Sequence, residues 1–321
     1  MNDRAMKFFM MICRKNAKEL KSFLDVWVRR FYPDENIFNE DGFLYVKGTD
    51  DILLTAHVDT VHFRQCKIID VKEERGCHVL SSKDGIGGDD RCGIFMILRI
   101  IETTKLRPSL LFCEDEEIGG IGSKKFISAK YINDLKKMLF LIELDRAHKD
   151  DLVYYYDGNE DFHKFCGDTT GYFKSHGTFS DICNLSPACG VSSVNVSCGY
   201  YNPHRVTEYV NYEEMENSIE VVKKLIIAGL EAGTQYEYKR NSYLYYGYGN
   251  RYDNYQSYAN SYYDYYSGYT KKYCYKFYVG GYCHYGYGAN RLEALADMMI
   301  ANPTVSYGDI THYELCQDMA M

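Results

Sequence analysis

A chain of 321 residues with 46% hydrophobic content has room for one large core, alone or with an appended segment, and is not disordered as a whole. Its net charge of −8 and the lack of any long Lys/Arg run give no reason to expect a nucleic-acid partner. No stretch approaches the roughly 20 apolar residues of a membrane span. The opening MNDRAMKFFMMICRKNAKELKSF is too charged for an export signal, which points to the cytoplasm, and the twelve scattered cysteines, with no CxxC pair, read as reduced thiols.

In chain order, apolar positions at helical spacing from about Met6 to Tyr32 predict one opening amphipathic helix. Two strand-like runs follow, FLYVKG at 43–48 and DILLTAHVD at 51–59, and CKIIDV from Cys66 reads as another. The 51–59 run is almost continuously apolar, as in a strand buried on both faces. DDRCGIFMILRIIETT at 89–104 predicts a buried helix. Next come a strand (SLLFCED, 109–115), a short helix near 123–129, and strands KMLFLIELD (137–145), LVYYY (152–156) and SSVNVSC (192–198). A long amphipathic helix from about Tyr212 to Ala232 closes the unit. Strands alternating with helices predict an α/β sandwich with a mainly parallel sheet, whose working residues gather at the carboxyl ends of the strands.

Twenty of the 33 tyrosines fall between Tyr236 and Tyr287. From 235 to 288 the periodicity stops, with Tyr, Gly, Ser and Asn dominant and almost no aliphatic residues, so this stretch reads as a flexible low-complexity segment. The expected organisation is a domain over 1–234, the Tyr-rich segment over 235–288, and a C-terminal stretch over 289–321 in which RLEALADMMIANP can form one short helix.

Five strand ends or helix starts carry candidate chemistry. His57-Val58-Asp59 ends a buried strand, and on its own is as readily a surface turn. Gly87-Gly88-Asp89-Asp90-Arg91-Cys92-Gly93 opens a helix, where capping explains one aspartate well and two less well. Glu114-Asp115-Glu116-Glu117 follows a core strand, and four carboxylates there repel one another unless cations are present. Asp145 ends an apolar run with Glu143 on the same strand face, and His204 follows another strand in GYYNPHRVTEYV. Nitrogen and carboxylate donors without thiolate suit zinc, or cobalt or manganese, in a catalytic site.

As an ordered set, HVD, GGDDRCG, EDEEIGGIGS, ELD and NPH resemble the co-catalytic dizinc exopeptidase and deacylase families: peptidase T, acetylornithine deacetylase and the bacterial zinc aminopeptidases. The resemblance covers roughly residues 40–230 and implies a three-layer, zinc-exopeptidase-like (phosphorylase/hydrolase-like) fold. It implies His57 and Asp145 on one metal, Glu117 and His204 on the other, and Asp89 bridging, with a cis peptide between Asp89 and Asp90. Asp59 would orient His57, and Glu116 would be the general base acting on a water between two metal ions.

The implied activity is hydrolysis of an amide bond in a small peptide or an N-acyl amino acid, with the oligomeric state open. Only 59 positions separate Asp145 from His204, too few for the lid or dimerisation domain of the larger relatives. The oxyanion donor that a lid histidine supplies in those enzymes then falls to His176, Tyr200 or Tyr201. Asp181, in GTFSDI, and Arg205 are candidates for the substrate loop, with a turn or cap and a solvated arginine as the bland alternatives. The rival reading is a non-catalytic metal-binding protein acting through its Tyr-rich tail; Glu116, which a degenerate enzyme tends to lose, is present.

Overall fold

The computed structural model describes residues 3–62, 64–241, 273–279, 282–288, 294–295, 298 and 310–315. The chain forms two compact units, Met1–Asn241 and Ser242–Met321.

The first unit opens with two helices, α1 (Asp3–Cys13) and α2 (Ala17–Val28), where the sequence predicts one. The break is chemical. Asn16 accepts the Glu19 N–H and the Glu19 carboxylate accepts the Asn16 N–H, a capping box that starts a new helix. Strands β1 (Ile37–Glu40), β2 (Phe43–Val46) and β3 (Asp50–His57) follow, then β4 (Asp70–Glu74) and β5 (Cys77–Ser81). The remaining elements are α3 (Gly88–Thr103), β6 (Pro108–Cys113), α4 (Ile121–Ser128), α5 (Ile132–Leu135), β7 (Phe140–Arg146) and β8 (Asp151–Val153). They continue with α6 (Glu160–Thr170), β9 (Phe173–Ser175), α7 (Ile182–Cys189), β10 (Ser193–Ser197), β11 (Tyr200–Tyr201), β12 (Tyr209–Asn211) and α8 (Tyr212–Ala232). Two predicted strands are shorter or later than their apolar runs: the run from Cys66 pairs only from Asp70, and the run from Leu152 ends at Val153.

The main sheet has eight strands in the order β1-β2-β6-β3-β7-β10-β8-β9, and its central four, β6, β3, β7 and β10, are parallel. Their continuous apolar runs serve two cores. Ile52, Leu54, Leu110, Phe112, Phe140 and Ile142 enter the larger core, shared with α1, α2, α3 and α8. Leu53, Leu111 and Leu141, the residues between, enter a second core with Phe126, Leu135, Ile182 and Leu185 of α4, α5 and α7. Period-two alternation with both faces covered makes the three-layer α/β/α sandwich. A smaller sheet, β11-β12-β5-β4, stands beside it. Between Asp145 and His204 the chain is used up by short elements of this sandwich, so no lid is inserted there.

Beyond residue 234 the structure departs from expectation. Residues 235–241 stay with the first unit: Ser192 donates its N–H to the Tyr236 carbonyl, and Asn241 donates to Tyr156. The Tyr-rich stretch also contains two paired strands, β13 (Tyr273–Val279) and β14 (Tyr282–Gly288), with β15 (Ile310–Leu315) on the far side of β13. Aromatic side chains supply what the missing aliphatics do not. Phe277 is 1% exposed, and the Tyr278 ring stacks on His312 at 4.0 Å. Residues 242–272 and most of the RLEALADMMIANP stretch lie outside the described residues. No helix among the described residues is long and apolar enough to cross a membrane.

Candidate metal centre

The carboxyl ends of β3, β6 and β7, the start of α3 and the loop after β11 converge on one place. His57 is the last residue of β3 and is 1% exposed. Its Nε2 lies 3.1 Å from Asp89 Oδ1, 3.6 Å from Asp145 Oδ1 and 3.9 Å from Glu116 Oε2. His204 Nε2 lies 3.1 Å from Asp89 Oδ2 and 3.1 Å from Glu117 Oε2. Each oxygen of Asp89 therefore faces a different histidine. Two donors about 2.0–2.2 Å from one tetrahedral ion sit roughly 3.3–3.5 Å apart, close to these spacings.

The adjacent aspartates divide the work. Asp90 accepts the N–H of Gly93 and the N–H of His57, so it caps α3 and ties the helix to the end of β3. Asp89, whose φ/ψ of −82°/100° is not helical, is left free for the site, and the Asp89–Asp90 peptide is cis as the resemblance implies. The close approach needs Gly93, because a Cβ there would meet the Leu144 carbonyl of β7 at 1.7 Å. Asp90 also stands within metal-ligating reach of His57 and Asp145. Its oxygens are already engaged by backbone donors, so it acts as a buttress.

The four acidic residues after β6 split in the same way. Glu114 takes the ammonium of Lys21 and the N–H of Gly42, away from the site. Asp115 is pushed up to about 6, first by burial and then by the charges of Asp59 and Glu114. Asp59 receives the backbone N–H of Glu116 and of Glu117 on its two oxygens, and its Oδ1 lies 3.3 Å from His57 Nδ1. One carboxylate thus sets the loop bearing Glu116 and Glu117 and stands behind the His57 ring. Asp145 is held by the Ser180 hydroxyl at 2.8 Å, the Tyr200 hydroxyl at 3.3 Å and the Asn195 side chain on its backbone.

The electrostatics call for cations. Burial, then the charge of Asp89, pushes Glu117 up to about 7, although His204 opposes it. Burial, then Asp89, pushes Asp145 up to about 6. Glu116 is raised by burial and by Asp145 and Glu117, with His57 pulling the other way. The buried Oε1 of Glu117 has no hydrogen-bond partner. Four carboxylates around two imidazoles, one with an orphaned oxygen, fit divalent metal better than they fit each other.

The secondary candidates scatter. Tyr200 is buried with its hydroxyl on Asp145, whereas the Tyr201 hydroxyl donates to Glu214 of α8 and its ring stacks on Tyr209. His176 and Arg205 are exposed. Asp181 is fully buried, with its N–H donated to Glu143 and both of its oxygens without hydrogen-bond partners. Sequence reasoning missed Ser180, Asn195 and Glu208. The first two are ordinary polar residues without a spacing signal; Glu208 was an acidic residue in the same GYYNPHRVTEYV run as His204.

Residues 45–178 match the model of Peptidase family M28. The chain carries a metallopeptidase domain. No curated protein sequence matches the chain. The aminopeptidase PepT of Bacillus cereus is similar in structure at 15% identity and a TM-score of 0.55, over 71% of this chain and 98% of that one. A Staphylococcus aureus tripeptidase gives 11% identity and 0.56 over 71% and 98%, and a TET aminopeptidase from a marine-sediment Thaumarchaeota archaeon gives 12% and 0.52 over 72% and 99%. These likenesses show the fold, the mainly parallel sandwich expected from the sequence. The family match bears out the resemblance to co-catalytic zinc exopeptidases, and the His, Asp and Glu side chains gathered around Asp89 are a donor set that could hold a divalent metal.

Proposed function

We propose that this metallopeptidase removes residues from the amino terminus of small peptides, using two metal ions, zinc in the first instance. What carries the reading is Asp89, with one oxygen 3.1 Å from His57 and the other 3.1 Å from His204. His57 and Asp145 would hold one ion, His204 and Glu117 the other, and Asp89 both. Bound there, the ions would polarise the scissile carbonyl and lower the pKa of a water between them. Glu116, beside His57 and not needed as a ligand, accepts the water's proton and delivers it to the leaving amine. Burial and its acidic neighbours raise its proton affinity, which suits a group that must hold that proton between the two transfers. Tyr200 is the candidate that stands at the cluster, and to act as oxyanion donor its one hydroxyl proton would turn from Asp145 to the substrate, whereas the Tyr201 hydroxyl is spent on Glu214. An aminopeptidase rather than a deacylase is favoured by the names of the similar structures.

The test is a screen of aminoacyl-anilides against N-acetyl amino acids with added zinc, cobalt or manganese. Release of aniline is the expected result. Deacylation alone would move the substrate class, and a metal-loaded chain that turns over neither would overturn the hydrolase.

A further inference from the structure

Residues 202–207 of the His204 loop are exposed or half-exposed, yet Glu208, which ends it, is 0% exposed. A carboxylate taken fully out of water costs several kcal/mol unless donors replace the solvent. Here three donors do so. Glu208 Oε1 accepts the N–H of Asp89 at 3.0 Å, and Oε2 accepts the N–H of Gly87 at 2.9 Å. Oε2 also lies 2.6 Å from Nε2 of His62, whose side chain is 7% exposed in the segment leading away from His57 and Asp59. Gly88 makes room: a Cβ there would come within 2.8 Å of Tyr200 and 2.9 Å of Val210.

One side chain therefore joins three ligand-bearing segments: the one leaving β3, the Gly87–Asp89 turn and the loop bearing His204. Its grip on Asp89 is on the peptide nitrogen, which holds the backbone from which the two carboxylate oxygens reach the histidines. We infer that Glu208 is a positioning residue of the metal centre, clamping Asp89 between the two histidines with His62 as the clamp's other jaw. The inference rests on the metal reading above and adds a residue to it.

Glu208→Gln is the discriminating change, because an amide has one acceptor oxygen where two N–H groups from separate residues need one each. In chelator-stripped protein titrated with zinc, its dissociation constant should rise about 10–100-fold, the range for residues that orient ligands. The melting temperature of the metal-free variant should fall by only several degrees, as one unmet buried N–H predicts, so that the loss of zinc affinity exceeds what destabilisation alone explains. In metal-free protein, amide exchange at Gly87 and Asp89 should quicken at least tenfold while the strands of the core stay protected. A variant with a lowered metal-free melting temperature but zinc affinity within twofold of wild type would make Glu208 merely structural and overturn the clamp. His62→Phe removes the Nε2 contact and keeps both backbone bonds, so it covers the case in which Glu208→Gln does not fold. It should weaken zinc at least about threefold, as loss of one charge-assisted bond predicts; unchanged affinity there also overturns the clamp. A wild-type chain that takes up no metal would sink the metal reading instead, and exchange at Gly87 and Asp89 then decides for or against the clamp.

Discussion

His57 and His204 reach the two oxygens of one aspartate from opposite kinds of ground. His57 ends a central strand, is 1% exposed, and has its backbone N–H and ring both backed by buried carboxylates. The His204 side chain is 45% exposed on a loop where its own φ is +62° and that of Asn202 is +55°, a left-handed conformation that asparagine and histidine adopt more readily than most residues. The first half of the site comes free with the sandwich, because a parallel sheet must end somewhere and its ends collect polar groups. The second half has to be brought in, and only specific contacts such as those of Glu208 and Glu117 hold it. Metal binding should be asymmetric in consequence.

The largest effect should come from the shared residue. Asp89→Asn, which blunts both halves together, should abolish detectable turnover and cut bound metal to below one equivalent by elemental analysis; two retained equivalents would mean that Asp89 does not bridge. Glu116→Gln should lower kcat by about 10²–10⁴-fold, the usual range for a positioned proton carrier, with metal content unchanged. Metal lost in that variant without a separate rate defect would exchange the roles of Glu116 and Glu117. Stripping metal with a chelator should remove about 4 kcal/mol of stability at a ligand excess of a thousandfold over the dissociation constant. In differential scanning calorimetry this should appear as a melting transition lower by about 10 °C. The smallest effect should come from Tyr200→Phe, which takes one hydrogen bond from Asp145 on the rigid half: roughly 10–100-fold in kcat at nearly constant KM. A rise in KM alone would deny Tyr200 a part in the transition state.

How much of this was legible follows the same division. The strands of the core announced themselves as apolar runs, and His57, Asp59, Asp145 and Glu116–Glu117 stood where those runs stopped. The paired aspartates were readable as one cap and one spare carboxylate, and the structure assigns the cap to Asp90. Contacts across the fold were not legible. Nothing local tells that Ser180 meets Asp145 across 35 positions, or that Glu208 meets Asp89 across 119. The single long opening helix failed because a 3.6-residue period survives a three-residue break, and only Asn16 with Glu19 three positions on signals the restart. The strands at the end of the Tyr-rich segment, β13 and β14, were hidden for a different reason. Counting aliphatic residues undervalued aromatic β-formers, and the Gly280-Gly281 pair between two alternating aromatic runs was an unheeded hairpin signal.

The most direct test of the asymmetry is the number of zinc ions bound per chain in wild type and in His204→Ala, by native mass spectrometry. Two are expected in the wild type and one in the variant, kept by His57, Asp89 and Asp145. A variant that still binds two, or a wild type that never binds more than one, would contradict that expectation.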